Sequence, residues 1–186
     1  KIWNASRFLM MNLTIDKCEL PGHLELEDKW ILSKLNTAVG EITENMEKFE
    51  LGVAAQKVYD FIWDSYCDWY IELTKARLQG DDQEAKVNAQ KVLCYVLTET
   101  LKLLHPFMPF LTEEIWQALP HVEVSGGDQA KQPYKSGDYL MLQKWPEYRA
   151  DRAFREEAEA MELVMDAIRA IRARRSEMNV PPSKKA

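Results

Sequence analysis

Apolar residues recur every three or four positions along most of this chain, which is the spacing of an amphipathic α-helix. Four long stripes of this kind predict four long helices, and a short stripe at the start predicts a fifth helix. The stripes are Ile31, Leu35, Ala38, Ile42, Met46 and Phe49; Leu51, Ala55, Val58, Ile62, Tyr66, Trp69 and Leu73; Ala89, Leu93, Val96, Thr100, Leu104 and Met108; Phe154, Ala158, Met161, Met165, Ile168 and Ile171; and Ile2, Ala5, Leu9 and Leu13.

Helix-breaking residues separate these stripes. Pro21-Gly22 ends the connection after the first helix, and Gly80-Asp81-Asp82 divides the second and third stripes, with one of the two aspartates predicted to cap the next helix. Pro106 and Pro109 must end or kink the third stripe. Long helices with short connections pack best side by side in opposite directions. The pattern therefore predicts an all-α fold, an antiparallel helical bundle.

The second half of the chain is predicted to contain one long loop. A short helix is expected over Thr112–Leu119, with Thr112 as its cap. Residues 120–148 contain several Gly and Pro residues and are predicted to form a long loop, in which a brief strand at residues 139–142 is an alternative. Residues 149–180 are expected to form the last long helix. Residues 1–186 are thus predicted to be a single helical domain.

Composition narrows the class of protein. The chain has 186 residues, of which 46% are hydrophobic and 29% are charged, as is ordinary for a globular protein. Its formal net charge is −6. This charge argues against a general nucleic-acid coat, because neutralisation of phosphates is the main source of nonspecific affinity. A role with RNA must therefore depend on local charge.

The cysteines and histidines predict neither a disulfide nor a metal site. Cys18, Cys67 and Cys94 are widely spaced, and the three histidines show no ligand spacing with them. We therefore expect a chain with reduced cysteines, in the cytoplasm. No apolar run has the length needed to span a membrane, and nothing resembles a signal peptide. Because the chain begins in a helical pattern without an initiator Met, we expect it to be a piece of a longer protein.

Signatures of catalysis are missing from the sequence. It has no Gly-rich phosphate loop, no Gly-x-Ser-x-Gly elbow and no His-Glu-x-x-His pair. The adjacent carboxylates Glu113-Glu114 and Glu156-Glu157 lie in charge-rich segments at helix starts, which is typical of solvated surface. We therefore predict no catalytic residue in this chain.

A series of aromatic residues is the first candidate for a binding surface. Tyr59, Trp63, Tyr66, Trp69 and Tyr70 alternate with aspartates, and Tyr59, Trp63 and Tyr70 fall beside the main apolar stripe. These side chains either widen the core against two neighbouring helices or offer a surface on which unstacked bases can lie. Stacking of a single-stranded base on an aromatic ring contributes about 1–3 kcal/mol.

Charge is distributed unevenly near the end of the chain. Residues 147–162 have six acids and three bases, whereas residues 166–186 have six bases and two acids. A basic helix end inside an acidic protein can contact phosphates. The same residues can instead complement the dipole at the end of the helix. The bases are Arg169, Arg172, Arg174, Arg175, Lys184 and Lys185.

Four strings together resemble one family of enzymes. Residues 1–8 (KIWNASRF) and 105–116 (HPFMPFLTEEIW) are similar to the anticodon-binding domain of the class I aminoacyl-tRNA synthetases for valine, isoleucine and leucine. Residues 68–75 (DWYIELTK) and the end of the chain, with 177–185 (EMNVPPSKK), look like the valyl members. The resemblance covers nearly the whole chain except the loop around residues 120–138. It implies the helical bundle typical of that domain.

The resemblance also implies a function for the intact protein. Such a synthetase ligates valine to tRNA(Val) with ATP and Mg²⁺, through motifs of the His-Ile-Gly-His and Lys-Met-Ser-Lys-Ser types that this chain lacks. The catalytic domain is therefore expected before residue 1 and a coiled-coil domain after residue 186, so this chain should hold no cofactor and no catalytic site. Its expected partners are the anticodon stem-loop of tRNA(Val) and the catalytic domain of the same chain, in a monomer.

Eight residues are carried over or inferred as RNA contacts. Phe8 resembles the aromatic that lies against an anticodon base, although a buried core Phe is the alternative, and Ile71 resembles a second apolar wall. Asn4 and Arg7 are their polar neighbours, and the remaining candidates would contact phosphates. These are Arg172, Arg174, Arg175 and Lys184.

Two other functions stay open at this point. The same domain could belong to an isoleucyl or leucyl synthetase, since two of the four strings are shared across the group. A helical scaffold for protein–protein interaction is the second alternative, because the chain is acidic and its aromatic series looks exposed. Only RNA binding through phosphate contacts predicts an affinity that falls steeply with salt.

Overall fold

The computed structural model describes residues 1–120 and 139–181, and within them the protein is helical, with no strand. The all-α prediction is confirmed. The elements are α1 (Ile2–Asn12), α2 (Leu26–Glu47), α3 (Leu51–Asp60), a π-helix (Phe61–Tyr70), α4 (Ile71–Gln79), α5 (Gln83–Leu104), α6 (Pro109–Gln117), two 3-10 turns (Leu140–Leu142 and Ala150–Arg152) and α7 (Arg155–Glu177). No helix among these is both long and apolar enough to cross a membrane.

α3, the π-helix and α4 continue into one another as a single long helix, residues 51–79, which packs antiparallel to α2. Near the turn between them, Lys57 pairs with Glu41 at 2.7 Å. At the far end, Asp28 of α2 accepts a hydrogen bond of 2.6 Å from the Tyr70 hydroxyl and two from the Arg77 guanidinium. Residues near the end of the long helix thus contact a residue near the start of α2, so the two helices run in opposite directions.

The contacts of Asp28 form a buried polar network that sets the register of these two helices. Asp28 is 0% exposed, so its charge must be compensated within the protein. Burial raises the pKa of the Tyr70 hydroxyl well above its ordinary value, and the Asp28 charge raises it further. Burial alone would lower the pKa of the Arg77 guanidinium, but hydrogen bonds and charge from Asp28 outweigh it and raise that pKa. The network therefore holds a charged Arg–Asp pair with a neutral phenol.

α5 returns antiparallel to α4 after a short turn. Asp82 caps it, because its carboxylate accepts hydrogen bonds from the backbone N–H groups of Glu84 and Ala85. The predicted cap is thereby confirmed and assigned to the second aspartate. Farther along, the Tyr66 hydroxyl donates to the Leu93 carbonyl at 3.1 Å. α5 is the central helix, since most of its inward residues are fully buried.

The π-helix moves the buried face of the long helix away from the predicted stripe. Trp69 and Leu73 were expected in the stripe but are only half-buried, whereas Tyr70, expected beside it, is fully buried. A π-helix has i→i+5 hydrogen bonds, so each turn holds more residues than an α-turn. After Tyr66 the buried positions are therefore Tyr70, Ile71, Thr74 and Leu78.

α6 begins earlier than expected. Pro109 occupies its first turn, where its missing N–H costs nothing, and Met108 is the residue before the helix. The prediction that Thr112 caps this helix is wrong, because Thr112 lies inside it and is fully buried. Its hydroxyl donates to the Met108 carbonyl at 2.9 Å and lies 2.8 Å from Nδ1 of His105.

Part of the predicted loop at 120–148 can be described. Residues 121–138 lie outside the described residues. Residues 139–142 form no strand, so that prediction is wrong, and Leu140–Leu142 is a 3-10 turn. Leu140 is buried, and its backbone N–H donates to the carboxylate of Glu113, at 3.0 Å from Oε2. Glu113 therefore has a structural partner in addition to its exposure to solvent.

α7 packs along the first half of α2 and starts later than predicted. The helix begins at Arg155, not at residue 149, because Phe154 adopts a left-handed conformation with φ 37°. Glu162 anchors it, accepting from the Trp30 indole at 3.0 Å and pairing with Lys34 at 2.6 Å. Of its predicted apolar stripe, Met161 and Met165 are buried, whereas Ile171 is 61% exposed. Most side chains in the second half of α7 are therefore exposed.

The cysteines differ from expectation. Cys18 and Cys94 form a disulfide, with their Cα atoms 5.3 Å apart, and it joins the connection before α2 to the middle of α5. The prediction of a wholly reduced chain is wrong for this pair, because a sequence separation of 76 conceals their proximity in the fold. Cys67 is free, and burial raises the pKa of its thiol.

Candidate nucleic-acid interface

α1 lies parallel to the π-helix and α4. At its start, the Lys1 ammonium is 2.5 Å from the Asp68 carboxylate and 3.9 Å from the centre of the Trp63 ring. Near its end, the Lys75 ammonium is 5.9 Å from the centre of the Phe8 ring. Residue numbers therefore increase in the same direction along α1 and along the long helix. α1 and the long helix therefore form the two sides of a shallow surface.

Phe8 sits at the edge of the core. Its neighbours on the inward face, Ala5 and Leu9, are buried, while Phe8 itself is half-buried and packs against the core from outside. Asn4 and Arg7 are exposed on the same helix, and Arg7 forms no ion pair with any described residue. The structure thus gives Phe8 a position between the two predicted alternatives, with part of its side chain accessible.

Ile71 lies deeper than expected for a side chain that contacts a base. It is 7% exposed and belongs to the core cluster against which Phe8 packs. Lys75 follows it by one helical turn and so shares its face of α4. The predicted second wall therefore lies beneath the surface, and the accessible groups above it are Lys75 and its ion-pair partner Glu72, 2.6 Å away.

The guanidinium groups of two arginines of α7 lie against the ring of Trp69. The guanidinium of Arg169 is 5.1 Å from the ring centre and that of Arg172 is 5.7 Å from it, within the range of a cation–π contact. Arg169 is also paired with Asp166 at 2.7 Å. Arg172 forms no ion pair with a described residue, so its charge is available to a ligand.

The other predicted phosphate contacts are less available. Arg174 pairs with Glu177 at 3.1 Å, and Arg175 donates a hydrogen bond of 3.0 Å to the Pro181 carbonyl. Lys184 lies outside the described residues. The basic end of the chain is therefore partly compensated by its own neighbours, whereas Arg172 has a ring contact but no ion pair with a described residue.

An apolar cleft opens beside the start of α1 and shares Lys1 and Trp63 with the surface between α1 and the long helix. It has a volume of about 360 Å³ and lies between α1, α3 and the end of α5. Trp3, 42% exposed, and Met108, 45% exposed, line it, and Tyr59 stacks on Trp63 at its side with ring centres 5.1 Å apart. Phe110, 91% exposed, follows shortly after Met108. This surface is apolar, whereas the surface around Phe8 is charged.

The described residues provide little for catalysis. Among residues 1–120 and 139–181, no three His, Cys, Asp or Glu side chains are grouped closely enough to hold a metal ion. The groups with strongly raised pKa values, Tyr66 and Tyr70, are fully buried and therefore cannot meet a substrate.

Comparison with known proteins gives the family. Residues 28–186 match the family described as the anticodon-binding domain of tRNA ligase. The chain belongs to this family. In an alignment of 188 positions that covers 100% of this chain, it is 45% identical to a valine–tRNA ligase of Bacillus anthracis. In an alignment of 187 positions that covers 99% of this chain, it is 46% identical to one of Geobacillus stearothermophilus. The chain spans about 20% of the length of each of these relatives.

The resemblance seen in four strings is thereby confirmed. The anticodon-binding domain places the predicted residues in two groups, with Asn4, Arg7 and Phe8 on α1 and Arg172, Arg174 and Arg175 on α7. Sequence reasoning did not single out Glu72 and Lys75, although their spacing of one and four residues from Ile71 was a usable signal. It also missed Trp69 as the ring that holds Arg169 and Arg172.

Proposed function

We propose that this anticodon-binding domain recognises the anticodon arm of tRNA(Val) as part of a valine–tRNA ligase. The observation that carries the proposal is the identity of 45% to such ligases along the entire chain. The Asp-Trp-Tyr string at residues 68–70 adds support, because it lies on the long helix beside α1. Isoleucyl and leucyl ligases are the competing assignment.

In this proposal, an unstacked anticodon base lies on the accessible part of the Phe8 ring. Sequence-selective recognition of RNA usually targets splayed loop bases through stacking and hydrogen bonds to their edges. Arg7 and Asn4 contact the adjoining backbone, and Ile71 supports the Phe8 ring from below. The arginines of α7, foremost Arg172, contact phosphates of the stem together with Lys184.

The rest of the reaction is assigned to the remainder of the ligase. Activation of valine requires ATP with Mg²⁺, and the described residues of this domain offer no group of side chains suited to that ion. The apolar cleft beside Trp3 and Met108 is suited to contact with the catalytic domain of the same chain. We further propose that the intact ligase is a monomer in the cytoplasm.

Binding of two anticodon stem-loops to the intact protein tests this function. The stem-loop with a valine anticodon should bind more tightly than one with an isoleucine anticodon, and the affinity should fall steeply with salt. Equal binding, or a preference for the isoleucine stem-loop, would reject the valine assignment.

A scaffold for protein–protein interaction is the second candidate function, and the exposed Phe110 together with the apolar cleft favours it. A scaffold predicts that neither stem-loop binds with a salt-dependent affinity. The same titration therefore separates the two functions.

A further inference from the structure

The connection between α1 and α2, residues 13–25, is fastened to the middle of α5 at two points. Gln90 accepts hydrogen bonds from the Thr14 backbone N–H at 2.9 Å and from the Thr14 hydroxyl at 3.0 Å. One helical turn farther along α5, Cys94 forms the disulfide with Cys18. The two points together fix the path of the chain as it leaves α1.

The two sulfur atoms are enclosed, although the connection around them is not. Cys18 is 6% exposed and Cys94 is 0% exposed, whereas most residues of the connection are exposed or half-buried. A small thiol or disulfide can therefore reach the pair only when the connection lifts away from α5. Because few side chains of the connection are buried, this local opening costs less free energy than unfolding of the bundle.

The disulfide also bears on the position of α1. This helix has 11 residues, and Lys1 at its start makes no side-chain capping hydrogen bond. Helices shorter than about 12–15 residues are marginal on their own, so α1 depends on its packing and on the attachment of the chain that follows it. Phe8 lies in the second half of α1. The ring that we propose to contact a base is therefore held in place partly by the Cys18–Cys94 bond.

A permanent disulfide is unusual in the compartment proposed for the intact ligase. The cytoplasm keeps thiols reduced, and the disulfides that form there in most organisms are transient and serve redox sensing or catalysis. The bond also joins residues that are 76 positions apart, so its formation constrains a large part of the chain. A bond that forms and breaks with the redox conditions reconciles the geometry with the compartment.

We propose that the Cys18–Cys94 bond is a reversible redox switch, which tightens the binding of RNA when it forms. The partner in the reaction is a low-molecular-weight disulfide, and the chemistry is thiol–disulfide exchange. Cys18 reacts first, because it lies on the segment that opens. The effect on RNA rests on the proposed function.

The exchange takes two steps. The Cys18 thiolate attacks one sulfur of the small disulfide, which forms a mixed disulfide and releases the first small thiolate. The Cys94 thiolate then attacks the Cys18 sulfur and releases the second. The protons of the two protein thiols pass to the released thiolates. Two protein thiols are thus oxidised to one disulfide, and one small disulfide is reduced to two thiols.

Binding of the valine stem-loop to the intact ligase in reducing and oxidising mixtures of glutathione tests the proposal. Alkylation of free thiols followed by mass spectrometry gives the state of Cys18 and Cys94 in the same samples. Opening of the bond should weaken binding about fivefold or more. It should also speed amide hydrogen exchange in residues 1–25, because α1 and the connection are then less firmly held.

Two variants of the intact ligase assign the effect to this bond. Cys18→Ala should bind the stem-loop like the reduced protein in both mixtures, because it cannot form the disulfide. Cys67→Ala is the matched control, since it removes the free thiol of the same domain, and it should keep the full redox response. Bound stem-loop should in turn favour the closed bond, because the coupling between two equilibria is reciprocal.

Two results would overturn the proposal. The first is a Cys18–Cys94 pair that stays reduced in the oxidising mixture. The second is an affinity for the stem-loop that does not change when the bond opens, whether or not hydrogen exchange becomes faster. The valine and isoleucine stem-loops, compared on the oxidised protein, show separately whether the proposed function fails. If neither binds, the hydrogen exchange of residues 1–25 still decides whether the bond controls α1.

Discussion

At the scale of single residues, Phe8 is the most important residue of the proposed interface, because its side chain is half-buried. A side chain in that position can contribute to the core with one part and to a ligand with the other. The family resemblance singled out Phe8, and its place one position off the inward stripe indicated that it could be exposed. Its burial depends on how closely α1 approaches the long helix, a distance that helical periodicity cannot supply.

Replacing Phe8 by Leu separates these two contributions. Leu keeps apolar packing but has no flat face, so we expect binding of the valine stem-loop to weaken by about 1–3 kcal/mol. The free energy of unfolding should fall by less than about 1.5 kcal/mol, since the packed volume is largely kept. Binding and urea denaturation are measured on the same variant. Phe110→Leu, on the exposed apolar surface, is the control, and weakened RNA binding by that control alone would contradict the assignment.

At the scale of elements, the π-helix is the segment after which the apolar pattern of the sequence no longer predicts which residues are buried. The stripe was predicted correctly at Val58, Ile62 and Tyr66, whereas Leu51 is exposed at its start and the buried positions after Tyr66 are displaced by the change in helical repeat. The polar network on Asp28 was not predicted either, because its partners, Tyr70 and Arg77, are 42 and 49 residues away along the chain. The periodicity of single helices thus gave the bundle but not the contacts between helices.

The buried Tyr66 of the π-helix predicts a loss of stability in alkali. Burial raises the pKa of its phenol far above the ordinary value of about 10. The folded pKa therefore exceeds the unfolded pKa, so the contribution to stability is complete below pH 10 and is lost as the pH rises above it. Tyr66→Phe should reduce the fall in the free energy of unfolding between pH 7 and about pH 11. Urea denaturation at both values measures this, and an unchanged fall would show that other groups cause it.

α7 supplies the phosphate contacts in this account, and its arginines are not equivalent. Arg172→Gln should lower the slope of log affinity against log salt by about one, because one phosphate contact is lost. Arg174→Gln is matched in charge, but Arg174 is already paired with Glu177, so its effect should be smaller. Titrations at several salt concentrations provide both slopes. Equal slopes for the two variants would exclude a special role for Arg172.

At the scale of the whole molecule, the proposed binding of RNA by an acidic protein requires that its charges be segregated. The net charge is −6, yet Arg7 and Arg172 are unpaired among described residues on surfaces that flank the long helix. Composition alone argued against RNA, whereas the four strings argued for it, and the family match agrees with the strings. Local arrangement thus outweighs the total charge.

The most direct test of the central claim is the position at which an anticodon base meets the protein. A valine stem-loop with 5-iodocytosine in its anticodon keeps the amino group and crosslinks to nearby aromatic side chains on irradiation. Mass spectrometry of the intact protein should find the crosslink in the peptide that contains Phe8. A crosslink confined to the apolar cleft, at Trp3, Tyr59 or Phe110, would contradict the account.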